Sequence, residues 1–159
     1  MNLPPANTPL VSDAGSPVTA FGALAGQLVL SAILGVVVAI VVAGLWGALA
    51  YFTDSIFLYA AIFAGIAIGG AMLWPLGKAN ALLRIGVLIV AAGLTIVAVL
   101  SGDFLYLALR VADRTGVNLL DAAFLVAPDF IEAEAEDGVM SVLFGLLGAA
   151  STFLRRGRR

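Results

Sequence analysis

Residues 27–52 contain no charged side chain, and small residues recur at every fourth position along this stretch. The small residues are Ser31, Gly35, Ala39, Ala43 and Gly47. An α-helix turns once in about 3.6 residues, so this spacing places them on one side of a helix long enough to cross a bilayer. The branched and bulky side chains then lie on the other sides, where lipid or further helices accept them. The stretch therefore predicts a membrane-spanning helix with a shallow groove for a second helix.

The composition supports a membrane location for the whole chain. Apolar residues make up 62% of the sequence and charged residues only 11%, and the mean hydropathy is +1.12. Soluble domains carry about 25% charged residues, so the apolar excess indicates lipid as the solvent. We expect an all-α, polytopic membrane protein with four transmembrane helices. The expected spans are residues 27–52, 56–76, 81–100 and 138–154.

Several kinds of chemistry are excluded by missing residue types. The chain has no histidine and no cysteine, which excludes disulfides, thiol chemistry, ordinary zinc sites and haem ligation through either residue. The formal net charge of −2 gives no reason to expect a nucleic-acid partner. We expect no cofactor and no bound metal.

The second span repeats the pattern of the first. Ala61, Gly65 and Gly69 are again four residues apart, which is the small-xxx-small arrangement that lets helix backbones approach closely. Only residues 53–55 separate the two spans, so the helices form an antiparallel hairpin. We expect the small residues of these two helices to pack closely together.

Charged and aromatic residues at the ends of the spans predict the orientation. Trp46, Tyr51 and Trp74 are aromatic residues of the type that settle at the headgroup level. Basic residues occur in and just after the connection between the second and third spans, and again at the C-terminus. By the positive-inside rule, they predict that this connection and the C-terminus lie in the cytoplasm. These basic residues are Lys78, Arg84, Arg155, Arg156, Arg158 and Arg159.

With four spans, the connection between the second and third spans and the C-terminus lie on the same side of the membrane, as the basic residues predict. The proline-rich residues 1–20 then form a disordered cytoplasmic tail, residues 101–137 lie outside, and residues 155–159 form a basic cytoplasmic tail. Residues 48–50 resemble a signal-peptidase site, but no basic residue precedes the apolar run, so we expect the first span to be retained.

The segment 101–137 begins with an amphipathic pattern. Apolar residues recur at spacings of three or four over residues 103–115, and Gly116 is expected to end that helix. The helix either lies on the membrane surface or continues the third span. We expect Asp103 to form a surface ion pair with Arg110, and Asp113 to pair with Arg110 or Arg114.

A second short helix is expected over residues 119–126, with Asn118 as its N-cap and Pro128 ending it. An acidic strip follows, which offers solvated charge or a docking face for a basic partner. It lacks the central glycine and terminal glutamate of a calcium loop. Its members are Glu132, Glu134, Glu136 and Asp137.

The first hairpin carries a resemblance to a known group. Residues 45–53 read Leu-Trp-Gly-Ala-Leu-Ala-Tyr-Phe-Thr, and residues 59–69 read Tyr-Ala-Ala-Ile-Phe-Ala-Gly-Ile-Ala-Ile-Gly. This hairpin resembles that of uncharacterised bacterial four-span integral membrane proteins. Where those proteins often carry a glycine and a carboxylate after the threonine, this chain has Asp-Ser-Ile at residues 54–56. The resemblance implies a four-span protein of the bacterial inner membrane and implies no activity.

Function is predicted mainly from what the spans lack. Enzymes and pumps that work inside lipid need ionisable groups at mid-membrane depth, and none of the four spans has one there. We therefore expect a non-enzymatic protein that acts through helix packing, as an accessory subunit or a self-associating scaffold. Its partners would be the bilayer and either further copies of itself or a larger membrane complex. The alternatives are an oligomeric channel or transporter, and a surface lipid-modifying enzyme using Asp113, Asp121 or Asp129.

Overall fold

The structure is a computed structural model in which the described residues form an all-α fold. The backbone is described for residues 17–54, 58–77 and 81–156, and the side chains for residues 22–54, 61–77, 81–130 and 139–152. The expectation of an all-α chain is confirmed. The described helices are α1 (Pro17–Thr53), α2 (Leu58–Leu73), α3 (Ala81–Thr115) and α4 (Leu119–Arg156).

Short connections make consecutive helices antiparallel, and the four helices pack as a bundle. In the described part of the chain, α2 and α3 each contact all three other helices. By contrast, α1 and α4 do not contact each other there, so they lie on opposite sides of the α2–α3 pair. The buried apolar residues between α1, α2 and α3 include Ile68, Met72 and Ala91.

The first helix begins earlier than the sequence predicts. It starts at Pro17, so the expectation that the tail extends to residue 20 is wrong. Proline is favoured at the first position of a helix because its fixed φ is already helical and the missing N–H has no partner there. The preceding part of the predicted tail, residues 1–16, lies outside the described residues. At the other end, Asp54 has a φ of 52°, a left-handed conformation that turns the chain out of α1.

The third helix is continuous over 35 residues. Of the two alternatives for residues 103–115, the structure has the one in which they prolong the third span. The helix ends where expected: Gly116 adopts a φ of +72°, and its N–H donates to the Ala112 carbonyl oxygen over 2.9 Å. Glycine reaches this conformation without a steric penalty.

The fourth helix contradicts the expectation of a short helix ended by Pro128. Asn118 does cap the helix as predicted, since its Oδ1 accepts from the Asp121 N–H over 2.9 Å. The helix then continues through Pro128 to Arg156. An interior proline costs about 3 kcal/mol, and packing must offset it. Two residues later, Phe130 makes an edge-to-face contact with Phe104 of α3, with ring centroids 5.2 Å apart.

Glycines bring the backbones of α2 and α4 together. A Cβ at Gly65 would clash with the Gly145 carbonyl oxygen, and one at Gly148 would clash with the Ile62 carbonyl oxygen. A Cβ at Gly69 would lie 2.9 Å from Thr152 Oγ1. The small residues of α2 therefore face α4, and the expectation that they pack against those of α1 is wrong. The reason is that α4 has glycines of its own at the same level, so both backbones can approach.

The small residues of α1 contact both α2 and α3. A Cβ at Gly47 would lie 2.8 Å from the Gly102 carbonyl oxygen. A Cβ at Gly35 would lie 2.6 Å from Met72 of α2 and 3.1 Å from Leu94 of α3. Ser31, on the same side of α1, donates from its hydroxyl to the Met72 carbonyl oxygen over 2.5 Å. Of the predicted packing residues not yet placed, Ala39 and Ala61 are buried and Ala43 is half-buried.

Among the described residues, two helices are long and apolar enough to cross a membrane, judged by length and composition. They are Gly22–Thr53 within α1 and Ala81–Thr115. The apolar parts of the other two helices, Ala61–Leu73 and Val139–Thr152, are shorter.

Replacing Gly65 by alanine tests the α2–α4 contact. The added methyl group meets backbone atoms that cannot rotate away, so Gly65→Ala is expected to destabilise the bundle by about 2 kcal/mol. Gly44→Ala is the matched control, because no atom lies within 4 Å of a Cβ there. Unfolding by denaturing detergent, followed by circular dichroism, measures the difference. Equal stability of the two variants would contradict the close approach.

Candidate functional site

A buried hydrogen bond joins α1 to α3. The indole Nε1–H of Trp46 donates to Asp103 Oδ1 over 2.6 Å. Asp103 is only 3% exposed and Trp46 only 6% exposed. Removing a carboxyl group from solvent is costly unless it is hydrogen-bonded, and a buried indole N–H likewise requires an acceptor. The Trp46–Asp103 hydrogen bond therefore sets the position of α1 relative to α3.

The glycine next to Asp103 makes room for the indole. A Cβ at Gly102 would lie 2.5 Å from Trp46 Cδ1 and 3.0 Å from the Ala43 carbonyl oxygen. Any other residue at 102 would push the ring away. The sequence Gly-Asp at residues 102–103 thus provides both the space for the tryptophan and the acceptor for its N–H.

Two expectations about these residues are wrong. Trp46 is not an anchor at the headgroup level, because its side chain is buried between helices and bonded to Asp103. Asp103 is not at the surface either, and Arg110 instead pairs with Asp54. The reason in both cases is that α3 does not stop near residue 100. Its continuation carries Asp103 alongside α1.

A second polar group lies nearer the end of α1. Asp54 Oδ1 forms an ion pair with Arg110 and accepts a 3.3 Å hydrogen bond from the Tyr106 hydroxyl. The Arg110 guanidinium also lies over the Tyr106 ring, 5.5 Å from its centroid. We call Trp46, Asp54, Asp103, Tyr106 and Arg110 the polar cluster. Its members on α3 are spaced by three and four residues, so one side of that helix holds them all.

An open cavity of about 350 Å³ adjoins the polar cluster at the end of α1. We call it the end cavity. Two basic, two acidic and two aromatic residues line it: Arg110, Arg114, Asp54, Asp113, Tyr51 and Phe52. Tyr51 is half-buried and meets the Phe52 ring edge-on, with centroids 5.5 Å apart. The cavity thus offers both signs of charge next to aromatic surface.

The remaining predicted residues are not brought to this site. Trp74 is 71% exposed at the opposite end of the bundle, and Arg84 is half-buried on the first turns of α3. Asp121 belongs to the N-terminal cap of α4, where its carboxylate accepts a hydrogen bond from Asn118 Nδ2. Several predicted residues lie outside the described side chains: Lys78, Glu132, Glu134, Glu136, Asp137, Arg155 and Arg156.

The arrangement is suited to holding helices in register and to binding charge. Within the described residues, no group of three or more acidic, histidine or cysteine side chains is placed to hold a metal ion. A sequence signal for the polar cluster did exist, in the spacing of Asp103, Tyr106 and Arg110. The spacing alone does not distinguish a side of the helix that faces water from a side that faces another helix.

Comparison of the chain with protein-family models, curated proteins and solved structures finds no match. The resemblance of the first hairpin to bacterial four-span proteins therefore stays a prediction.

Replacing the two tryptophans separately tests the buried hydrogen bond. Trp46→Phe removes the indole N–H that donates to a buried carboxyl oxygen and is expected to cost about 2 kcal/mol of unfolding free energy. Trp74→Phe makes the same chemical change at an exposed position and is expected to stay within about 0.5 kcal/mol of the parent protein. Detergent unfolding curves measure both. Similar losses in the two variants would refute a structural role for the Trp46–Asp103 bond.

Proposed function

We propose that the chain is a small, non-catalytic integral membrane protein whose four helices cross the bilayer. It acts through helix packing, as an accessory subunit or a self-associating scaffold. The observation that carries this proposal is the apolar outer surface of α1, described next.

Large apolar side chains on α1 are more than half exposed along most of its length. They include Val29, Ile33, Val37, Ile40, Val41 and Leu45. Water-soluble monomers rarely expose a continuous apolar patch of this extent, because hydrating it is unfavourable. Lipid tails and neighbouring membrane helices accept such side chains without that penalty.

Association is favoured by how the helices are distributed. Because α1 contacts α2 and α3 but not α4 in the described part of the chain, much of its circumference is uncovered. The glycines at 35 and 47 are already used inside the bundle. A partner helix would therefore contact the branched side chains of α1 and the open position at Gly44 rather than Gly35 or Gly47.

The proposed topology places both termini in the cytoplasm, on the basic residues near the second turn and at the C-terminus. The connection between α3 and α4 then lies on the extracytoplasmic side, together with the polar cluster and the end cavity. The location that we propose is the bacterial inner membrane, which rests on the resemblance of the first hairpin.

Cysteine labelling tests this topology cleanly, because the chain has no native cysteine. Thr115→Cys, at the exposed end of α3, should react with a membrane-impermeant maleimide in intact cells. Arg159→Cys should react only after the membrane is permeabilised. Labelling of both positions from the same side would mean that α4 does not cross the membrane, and the reverse pattern would mean that the orientation is inverted. Either result contradicts the proposal.

Native mass spectrometry in mild detergent tests the role in association. A reproducible second polypeptide identifies an accessory subunit, and a symmetric homo-oligomer identifies a self-associating scaffold. A strict monomer at all protein concentrations and in several detergents would contradict the proposal. Replacing Ile40, 68% exposed, by alanine should weaken the complex without changing the helix content.

A further inference from the structure

The end cavity is lined by two charges that make no ion pair with another described residue. Its Arg110 is committed to Asp54 and Tyr106. The neighbouring Arg114 and Asp113 are exposed, and neither makes a hydrogen bond or ion pair with another residue that the structure describes. One cation and one anion that have no ion-pair partner in the described part of the chain therefore line the same cavity.

The surroundings suit a ligand that itself carries both signs of charge. A phosphodiester would bind to Arg114, with Arg110 adding positive potential, because guanidinium groups form strong charge-assisted hydrogen bonds with phosphate oxygens. An ammonium group would bind to Asp113, and the rings of Tyr51 and Phe52 supply faces that attract a cation. The C-terminal end of α3 also favours positive charge nearby.

The position of the cavity indicates where this ligand comes from. The cavity lies at the C-terminal end of α1, and Phe52 on its rim is 82% exposed. If α1 crosses the bilayer, this is the level at which aromatic side chains meet headgroups. This step rests on the proposed membrane location.

We propose that the end cavity binds the headgroup of a zwitterionic phospholipid, with the phosphodiester on Arg114 and the ammonium group on Asp113. A purely anionic headgroup satisfies the arginines but leaves Asp54 and Asp113 facing further negative charge. Headgroup selection is therefore expected to favour phosphoethanolamine over phosphoglycerol.

Native mass spectrometry of the delipidated full chain in detergent measures this selection. The protein is titrated with phosphatidylethanolamine and with phosphatidylglycerol that have identical acyl chains. One additional charge-assisted contact predicts about tenfold tighter binding of phosphatidylethanolamine. Glycerophosphoethanolamine, which has no acyl chains, tests the source of the ligand: weak competition is expected if the lipid is the ligand, and binding as tight as that of the lipid would overturn the assignment to a membrane lipid.

Three variants assign the contacts. Asp113→Asn should remove the preference between the two lipids, and Arg114→Gln should weaken binding of both by about tenfold. Arg114→Lys keeps the charge and should restore part of the affinity. Asp129→Asn, an exposed acidic residue outside the cavity, is the matched control and should bind like the parent protein. Helix content by circular dichroism verifies that each variant is folded.

Equal affinity for the two lipids, or an unchanged preference in folded Asp113→Asn, would overturn the proposal. Alkaline extraction of membranes from the same cells separates this failure from that of the proposed function. A chain that resists extraction but shows no headgroup preference is an integral membrane protein without this site. A chain that is extracted and stays soluble without detergent would overturn both proposals.

Discussion

The close approach of two backbones, those of α2 and α4, is the constraint on which the bundle most depends. In the membrane location that we propose, the hydrophobic effect supplies little attraction between helices, since lipid tails are as apolar as the side chains. Stability must come from close packing, and close packing requires that no side chain stand between the helices. Gly65, Gly145 and Gly148 meet this requirement from both sides of the contact.

The contact between α1 and α3 combines the same principle with a polar interaction. Gly47 and Gly102 bring these two helices together, and the space gained is filled by the Trp46 ring. Its hydrogen bond to Asp103 has a defined geometry, so sliding one helix along the other would break a buried hydrogen bond. Glycine contacts alone tolerate small shifts. The hydrogen bond therefore specifies the register that packing leaves open.

The sequence predicts the local features of this fold well. Periodicity predicted the all-α class, Gly116 the end of α3, and Asn118 the cap of α4, because each depends on a few neighbouring residues. Partner choice depends on residues far apart in the chain. Small-residue spacing on α2 showed that something packs closely there, but only the structure shows that the neighbour is α4.

The same limit applies to the candidate site and to Pro128. The Gly102–Asp103 pair looked like the end of a membrane span, because glycine and aspartate usually leave the apolar interior. Their role emerges only when α1 supplies Trp46 at the same height. Proline likewise reads locally as a helix end, yet α4 continues through it, with the Phe104–Phe130 contact just beyond.

The pairing of α2 with α4 also has a consequence for the order of assembly during synthesis. The glycines of α2 emerge from the ribosome before their counterparts at 145 and 148 on α4. Until these arrive, α1, α2 and α3 have only their mutual contacts, including the Trp46–Asp103 bond. The contacts among α1, α2 and α3 can thus form while the glycine surface of α2 is still uncovered, and α4 covers that surface when it has been synthesised.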